Sequence, residues 1–598
     1  MKEYRGRFLI ATIVVVQAFF ILIARMWYLQ ILRGEEFEKF SLNNRIRLVR
    51  IPAPRGRIFD RKGRELVVNR ASFDVYVTPS EVKNIEQLST SLSNVLGINK
   101  DEIKDKIKKA SVENRFKPAL IARDINRNQL AFLEARKSSL QGLSIEVNHV
   151  RKYPYGKLGA SFLGYVGKAT QKELKLYTDI TSNNIVGKSG IERAFDSYLR
   201  GKDGFIQKVT DALGREVKNN LFNKESIARN SIPGADIVLS IDLDIQKAAE
   251  EALGDRAGAV VVLDVRTGDI LALVSNPTFN PADFINGIDP LKWKELVNNP
   301  YHPLLNRATQ GIYAPGSVFK IVTAAAGMQE GVITQTTSFY CPGRYKLGRR
   351  TFKCWKTQGH GWVNLEKAIV ESCDVYFYYV AERLGIDRLA PYIKEFALGV
   401  QTGIDIEETS GIAPSEEWKL KLFKKPWYQG ETTVTAIGQG YLSVTPLQVA
   451  VMTAAVANGG TILKPQLVKR VLSPEGEPIA EYQPIKRAHL PVSDKVLNTI
   501  KEALKGVVNN PNGTGRSAKS DKVAIAGKTG TAQVISLGKG THERHQDHAW
   551  FTAYAPAEAP EIAVTVLVEH GGKGGAVAAP IAKEIIEAYI RLKEGGNV

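Results

Sequence analysis

Ser317 and Lys320 stand three positions apart where a Pro315-Gly316 break opens a run of apolar helix formers. Residues i and i+3 of a helix share a face, so the hydroxyl and the amine can meet. A serine hydroxyl is a weak nucleophile until a neighbouring base takes its proton. A lysine can be that base when desolvation disfavours its ammonium form, and Lys320 lies among Val318, Phe319, Ile321 and Val322. The N-terminus of a helix adds free N–H groups where an oxyanion would develop. The same Ser-x-x-Lys spacing occurs at Ser80–Lys83 and Ser536–Lys539, without the break or the apolar helix. Core packing with a snorkelling lysine is the competing use of the pattern.

Two more polar clusters follow. Ser372-Cys373-Asp374 interrupts a helical stretch, and Lys528-Thr529-Gly530-Thr531, the one Lys-Thr-Gly of the chain, sits at a strand edge. The three cysteines, Cys341, Cys354 and Cys373, fall within 33 residues, with His360 among them. Three cysteines and a histidine suit a closed, structural zinc site; one disulfide plus a buried thiol is the alternative. A second cluster, His542, His545, Asp547 and His548, falls between expected strands and reads as a solvated loop. His149, His302, His489 and His570 have no partners nearby in sequence.

The elements that must position these residues are legible. Residues 257–277 read as a hairpin turning through Arg266-Thr267-Gly268-Asp269, and residues 522–571 hold three further strand-like runs. Helices are expected over Ser317–Gln329, Leu365–Glu371, Asp374–Leu384 and Thr445–Ala457, and a closing helix follows residue 577. Strands at both ends with helices between them predict an α+β domain, an antiparallel sheet flanked by helices. Upstream, Asp60-Arg61-Lys62-Gly63 reads as a turn between short strands, and residues 80–150 show mixed helical patterns without a catalytic cluster.

The chain has 598 residues, 44% hydrophobic and 24% charged, which predicts two to four folded domains. Phe8–Ala24 is an uncharged run of 17 residues, and apolar character resumes to Leu32. That suffices to span a bilayer, with Trp27 and Tyr28 at interfacial depth. No small-residue cleavage site follows, so an uncleaved single-pass anchor is expected, with Lys2, Arg5 and Arg7 on the cytoplasmic side and the remaining mass extracytoplasmic. The formal net charge of +19 fits surroundings of anionic lipid or wall polymer, or simply a solvated basic surface. No zinc-finger spacing, RNP motif or basic heptad is present, which argues against nucleic acid.

Ser-x-x-Lys, then Ser-x-Asn/Asp, then Lys-Thr-Gly, in this order, is the motif set of penicillin-binding proteins and serine β-lactamases. With its anchor, its "RGRIFDRKGRELV" and "GKSGIER" stretches and its "IGQGYLSVTPLQVAVMTAAVANGG" segment, the chain resembles class B penicillin-binding proteins over nearly its whole length. Within them it is most similar to the elongation type, given Asp374 in place of the common asparagine. The resemblance implies a cytoplasmic tail (1–7), a transmembrane anchor (8–32), an elongated non-catalytic pedestal domain of dimerisation type (33–232) and a transpeptidase domain (233–598). It implies Ser317 as acylated nucleophile, Lys320 as base, Ser372 as proton relay, Asp374 as the holder of that network and Lys528 as a source of positive charge. Thr529, Gly530 and Thr531 would bind the donor's terminal carboxylate, and the N–H groups of Ser317 and Thr531 would form an oxyanion hole. The implied substrates are peptidoglycan stem peptides ending in D-Ala-D-Ala, β-lactams would acylate the same serine, and the implied partner is a SEDS-family, RodA-type glycosyltransferase of the elongation complex. Zinc on Cys341, Cys354, His360 and Cys373 is favoured by the same resemblance. A β-lactam-hydrolysing or sensing protein of the same fold, and a scaffold that mainly activates a glycan polymerase, are the alternatives.

Overall fold

The computed structural model describes residues 2–35, 46–177, 180, 184–209, 228–533 and 546–596. The hairpin expected from its two β-branched runs pairs Gly258 with Asn276 and Val262 with Ala272. It belongs to a five-stranded antiparallel sheet in the order Ile270–Asn276, Gly258–Asp264, Ile562–Val568, His548–Ala555, Ala526–Ala532. Every residue of Gly258–Asp264 and Ile562–Val568 is buried, so both faces of the sheet are covered. Alternate residues explain how. Ala259, Val261 and Leu263 join one core with the wholly buried helix Pro446–Ala457, while Val260 and Val262 join another with Leu243–Leu253 and Gly574–Glu594. Thr445 caps the first of these helices, its hydroxyl accepting from the Gln448 N–H, and Pro446 stands where no N–H is needed.

The segment that opens on Ser317 differs from its expectation. Gly316–Phe319 is a 3-10 turn, and the α-helix begins only at Lys320 and runs to Gln329. Gly316 has φ +53°, a left-handed conformation that ends the preceding chain direction and tightens the turn. The middle motif is the joint between helices Leu365–Val370 and Asp374–Glu395. The second helix runs past the expected Leu384 because the chain resumes after a kink at Gly385, φ +72°. Between these helices and the Ser317 segment lie two small hairpins, Phe339–Cys341 with Gly361–Val363 and Arg344–Leu347 with Arg350–Lys353.

The chain divides into two compact units, Met1–Pro54 with Arg70–Val150 and Gly201–Pro233, and Arg55–Asn69 with Arg151–Arg200 and Gly234–Val598. One boundary between the units falls at Pro233, and Arg55–Asn69 and Arg151–Arg200 pack with the C-terminal unit. Buried ion pairs explain this: Arg55 binds Glu192 (2.6 Å) and Asp196 (2.7 Å), Arg151 binds Glu192 (2.6 Å), and Ile58–Phe59 pairs in parallel with Ile237–Val238. The other unit holds its own core around Val75, Leu92, Ile103 and Leu133. It also carries the helix Gly6–Leu32, 27 residues whose most apolar 18 have a mean hydropathy of 2.4, the one among the described residues long and apolar enough to cross a membrane.

Candidate active site

Lys320 is fully buried and does not merely snorkel. Its Nζ donates to the Ser372 carbonyl (2.9 Å) and to Ser372 Oγ (3.2 Å), and makes an ion pair with Asp374 Oδ1 (2.6 Å). Lys528, fully buried on the edge strand Ala526–Ala532, donates to the same Ser372 Oγ (3.0 Å) and to the Thr529 carbonyl (3.1 Å). One hydroxyl therefore bridges two lysines. Burial and the neighbouring Lys320 charge push the Lys528 pKa well below the ordinary lysine range, with Asp374 opposing the fall. Burial thus works against the positive charge expected of Lys528.

Ser372 can reach both amines because its backbone is left-handed, φ +54°, which a non-glycine residue adopts at a cost. Several hydrogen bonds hold it there. Its N–H donates to the Ile369 carbonyl, the Cys373 N–H to the Ala368 carbonyl (2.9 Å), and the Trp355 indole to the Glu371 (3.1 Å) and Ser372 (3.0 Å) carbonyls. The Trp355 backbone N–H donates to Asp374 Oδ2 (2.9 Å), so both oxygens of that carboxylate are engaged.

Ser317 is half-buried at the rim, on the 3-10 turn. The edge strand lies against this turn with no room for a side chain: a Cβ on Gly316 would meet the Thr531 carbonyl at 2.6 Å, and one on Gly530 the Pro315 carbonyl at 2.9 Å. The Gly316 N–H donates to the Gly438 carbonyl (2.9 Å), and the Gln439 amide to the Thr531 carbonyl (3.3 Å). Thr529 donates to Thr514 Oγ1 (2.8 Å), a contact nothing in the sequence announced. The structure thus gathers Lys320, Ser372, Asp374 and Lys528 into one hydrogen-bonded set, and stacks the Pro315–Ser317 turn on Gly530 and Thr531. Such a set can take a proton from a serine and move it along a short chain.

Cys341, Cys354, His360 and Cys373 converge as well. All four are buried, and their ligand atoms lie within 4.8 Å of one another. His360 Nδ1 is 3.5 Å from the sulfurs of both Cys341 and Cys354, and no cysteine is in a disulfide. Hydrogen bonding to Cys373 lowers the Cys341 thiol to about 6 and the Cys354 thiol to about 2, and pushes the Cys373 thiol up, so the three sulfurs compete for few protons. His360 Nε2 is buried without a hydrogen bond, 4.0 Å from Glu371 Oε2, the disposition of a ligand histidine backed by a carboxylate. The donor set could hold a metal ion.

The second histidine cluster behaves otherwise than expected. His542 and His545 lie outside the described residues. His548 is no solvated loop residue: it opens the strand His548–Ala555, packs edge-on against Tyr313 (5.4 Å), and accepts at Nδ1 from the His570 N–H (3.0 Å). Burial, then His570, lower its pKa to about 4. Beside it Tyr313 donates to Glu569 (2.7 Å), which also binds the buried Arg307 (2.9 Å). Sequence reading missed this group because Arg307, Tyr313, His548 and Glu569 come from four separate segments.

Comparison with known proteins places these features. Residues 258–587 match the family model of the penicillin binding protein transpeptidase domain, and residues 50–239 that of the penicillin-binding protein dimerisation domain. The peptidoglycan D,D-transpeptidase MrdA of Haemophilus influenzae is 36% identical over 594 residues, covering 96% of this chain and 90% of its own. Among solved structures, the penicillin-binding protein PBP2 of Helicobacter pylori, solved in complex with MreC, superposes with a TM-score of 0.80 at 31% identity, over 92% of this chain and 99% of its own. A chain of a peptidoglycan synthase complex that coordinates polymerization and crosslinking superposes with a TM-score of 0.71 at 30% identity, over 98% of both chains.

Proposed function

The chain belongs to the penicillin-binding protein transpeptidase family, and from that premise we propose how its own residues carry out peptidoglycan D,D-transpeptidation. It is a serine-type transpeptidase of cell-wall elongation, anchored by a single membrane pass. We assign residues 33–232 to the pedestal and 233–598 to the catalytic domain. The observation that carries the assignment of roles is the single hydroxyl, Ser372 Oγ, held between Lys320 and Lys528.

In this reading a stem peptide ending in D-Ala-D-Ala lies along Thr529–Thr531, its carboxylate on the two threonines. Lys320 begins paired with Asp374. It becomes a base by passing its proton through Ser372 Oγ to Lys528, whose depressed pKa marks it as a neutral acceptor. Lys320 then takes the Ser317 proton as Oγ attacks the penultimate D-Ala carbonyl. The N–H groups of Ser317 and Thr531 stabilise the oxyanion. Collapse breaks the peptide bond, Ser372 hands a proton to the leaving D-Ala amine, and the acyl group remains on Ser317. An amine of a neighbouring stem attacks the ester, losing its proton to the same chain and releasing the cross-link. A β-lactam enters at the first step and leaves its opened ring on Ser317.

Zinc is the metal we propose for the buried Cys3His cluster, as a closed structural site supplying folding energy rather than chemistry. Cys373 lies between Ser372 and Asp374, and Cys354 precedes the Trp355 N–H that holds Asp374. The cluster therefore fixes the middle motif from two sides. The MreC complex of the Helicobacter pylori protein supports assembly with an MreC-type protein, the similar chain of a peptidoglycan synthase complex supports assembly with a polymerising partner, and a RodA-type glycosyltransferase is the partner we propose. The test is reaction of the purified protein with a nascent glycan strand bearing pentapeptide stems, read by mass spectrometry of the digest. Peptide-bridged dimers with one D-Ala lost per bridge support the reading. Tetrapeptide monomers or rapid β-lactam turnover contradict it.

A further inference from the structure

Between Glu330 and Glu366 the chain carries six cations and no carboxylate. The structure concentrates five of the six on one small element. In the hairpin Arg344–Leu347 with Arg350–Lys353, the inward residues Tyr345 and Phe352 pack against Tyr378 at 5.7 Å each, so the alternate residues Arg344, Lys346 and Lys353 face out and are exposed. Arg344 stands directly opposite Lys353, a pairing that destabilises a hairpin. Arg349 and Arg350 are exposed at its turn. Among the described residues none of these five cations has an ion-pair partner, whereas the sixth, Lys356, meets Glu371 at 3.9 Å.

Exposed aromatic rings accompany the charge. Trp355, 56% exposed, follows the hairpin and is tied by its indole N–H to the Ser372 and Glu371 carbonyls, beside the middle catalytic motif. Tyr340 and Trp362, 53% and 70% exposed, meet edge to face across the neighbouring hairpin at 5.7 Å. Large aromatics left open to water next to unneutralised cations mark a binding surface rather than a solvated face.

We infer that this surface docks a strand of the cell-wall polymer itself, outside the donor-peptide groove: sugar rings lie on the aromatic faces and stem-peptide carboxylates pair with the hairpin cations. The inference rests on the peptidoglycan reading above and deepens it by naming where the polymer is held. Charge complementarity selects the occupant. A carboxylate-bearing glycan offers both an anion and a stackable ring at each repeat, and the patch holds both counterparts, with Trp355 bonded to the Ser372 carbonyl.

The test is co-sedimentation of the full-length detergent-solubilised protein with purified peptidoglycan sacculi, with fluorescent-penicillin labelling of the same samples. Lys346→Glu with Arg350→Glu should lower the bound fraction about tenfold at low salt, as should raised salt for the native chain, while penicillin labelling stays at the native rate. Lys346→Gln with Arg350→Gln, which changes half the charge, should fall between. Unchanged sedimentation of the charge-reversed chain with native labelling overturns the inference alone. Capture by anionic phospholipid vesicles that exceeds capture by neutral ones and is lost on the same charge reversal overturns it in favour of a lipid site. A native chain that sediments but takes no penicillin overturns the function reading, and this inference with it.

Discussion

Asp374→Asn isolates the role of one charge. Asp374 Oδ1 pairs with Lys320 at 2.6 Å and Oδ2 accepts from the Trp355 N–H at 2.9 Å. Asparagine keeps one acceptor, directed at Lys320, and presents an N–H₂ group to the Trp355 N–H. A buried ion pair is lost and a buried donor is orphaned, so stability should fall by about 3 kcal/mol, the low end for breaking such a pair. The chemical consequence is larger. Asp374 opposes the depression of Lys528, and removing it leaves two buried lysines with no counter-charge. Lys528 should then lose a proton at lower pH than in the native chain, because the one charge that opposes its depression is gone. The assay is the second-order rate of acylation by a chromogenic cephalosporin from pH 5 to 10. The alkaline limb should move to lower pH, and the plateau should drop about tenfold as positioning loosens. A limb that stays in place, or moves up, refutes the proton chain from Lys320 through Ser372 to Lys528.

Three further outcomes are expected. Cys373→Ser, or strong chelation of the native protein, should lower the melting temperature and the acylation rate together, because the cluster and the Ser372–Asp374 joint share backbone; a full acylation rate at an unchanged melting temperature in metal-free protein contradicts this. Gly316→Ala puts a Cβ 2.6 Å from the Thr531 carbonyl at a φ of +53°, so acylation should fall by at least about tenfold from strain of about 1–3 kcal/mol at the turn, and the melting temperature should fall by a few degrees. His548 titrates at about 4 in the folded chain and near 6.5 unfolded, so the unfolded state binds the extra proton between these values. That stability is complete above about pH 6.5 and is lost as pH falls toward 4, by about 3 kcal/mol. His548→Asn should flatten this part of the stability curve in chemical denaturation, and an equally steep curve would place the acid sensitivity elsewhere.

The hairpin at 258–276, the edge strand with Lys528 and the capped helix after Thr445 were readable because local pattern and tertiary packing agree there. The break before Ser317 was readable from Pro315-Gly316, but its 3-10 geometry was not: it follows from packing of the turn against Gly530 and Thr531, more than two hundred residues away. The apolar neighbours of Lys320 pointed to burial, yet the ion pair that accompanies burial is with Asp374, which only the fold brings near. Likewise Trp355 gave no local sign that its indole and amide would hold Ser372 and Asp374. The linear domain split failed to anticipate that Arg55–Asn69 and Arg151–Arg200 pack with the C-terminal unit, since long-range ion pairs to Glu192 and Asp196 decide it.

Peptide mapping by mass spectrometry after reaction with a β-lactam addresses the central claim most directly. The account predicts one adduct of the intact drug mass, on the peptide carrying Ser317, and none in a Ser317→Ala chain of native melting temperature. An adduct on any other residue, or one that survives this substitution, contradicts it.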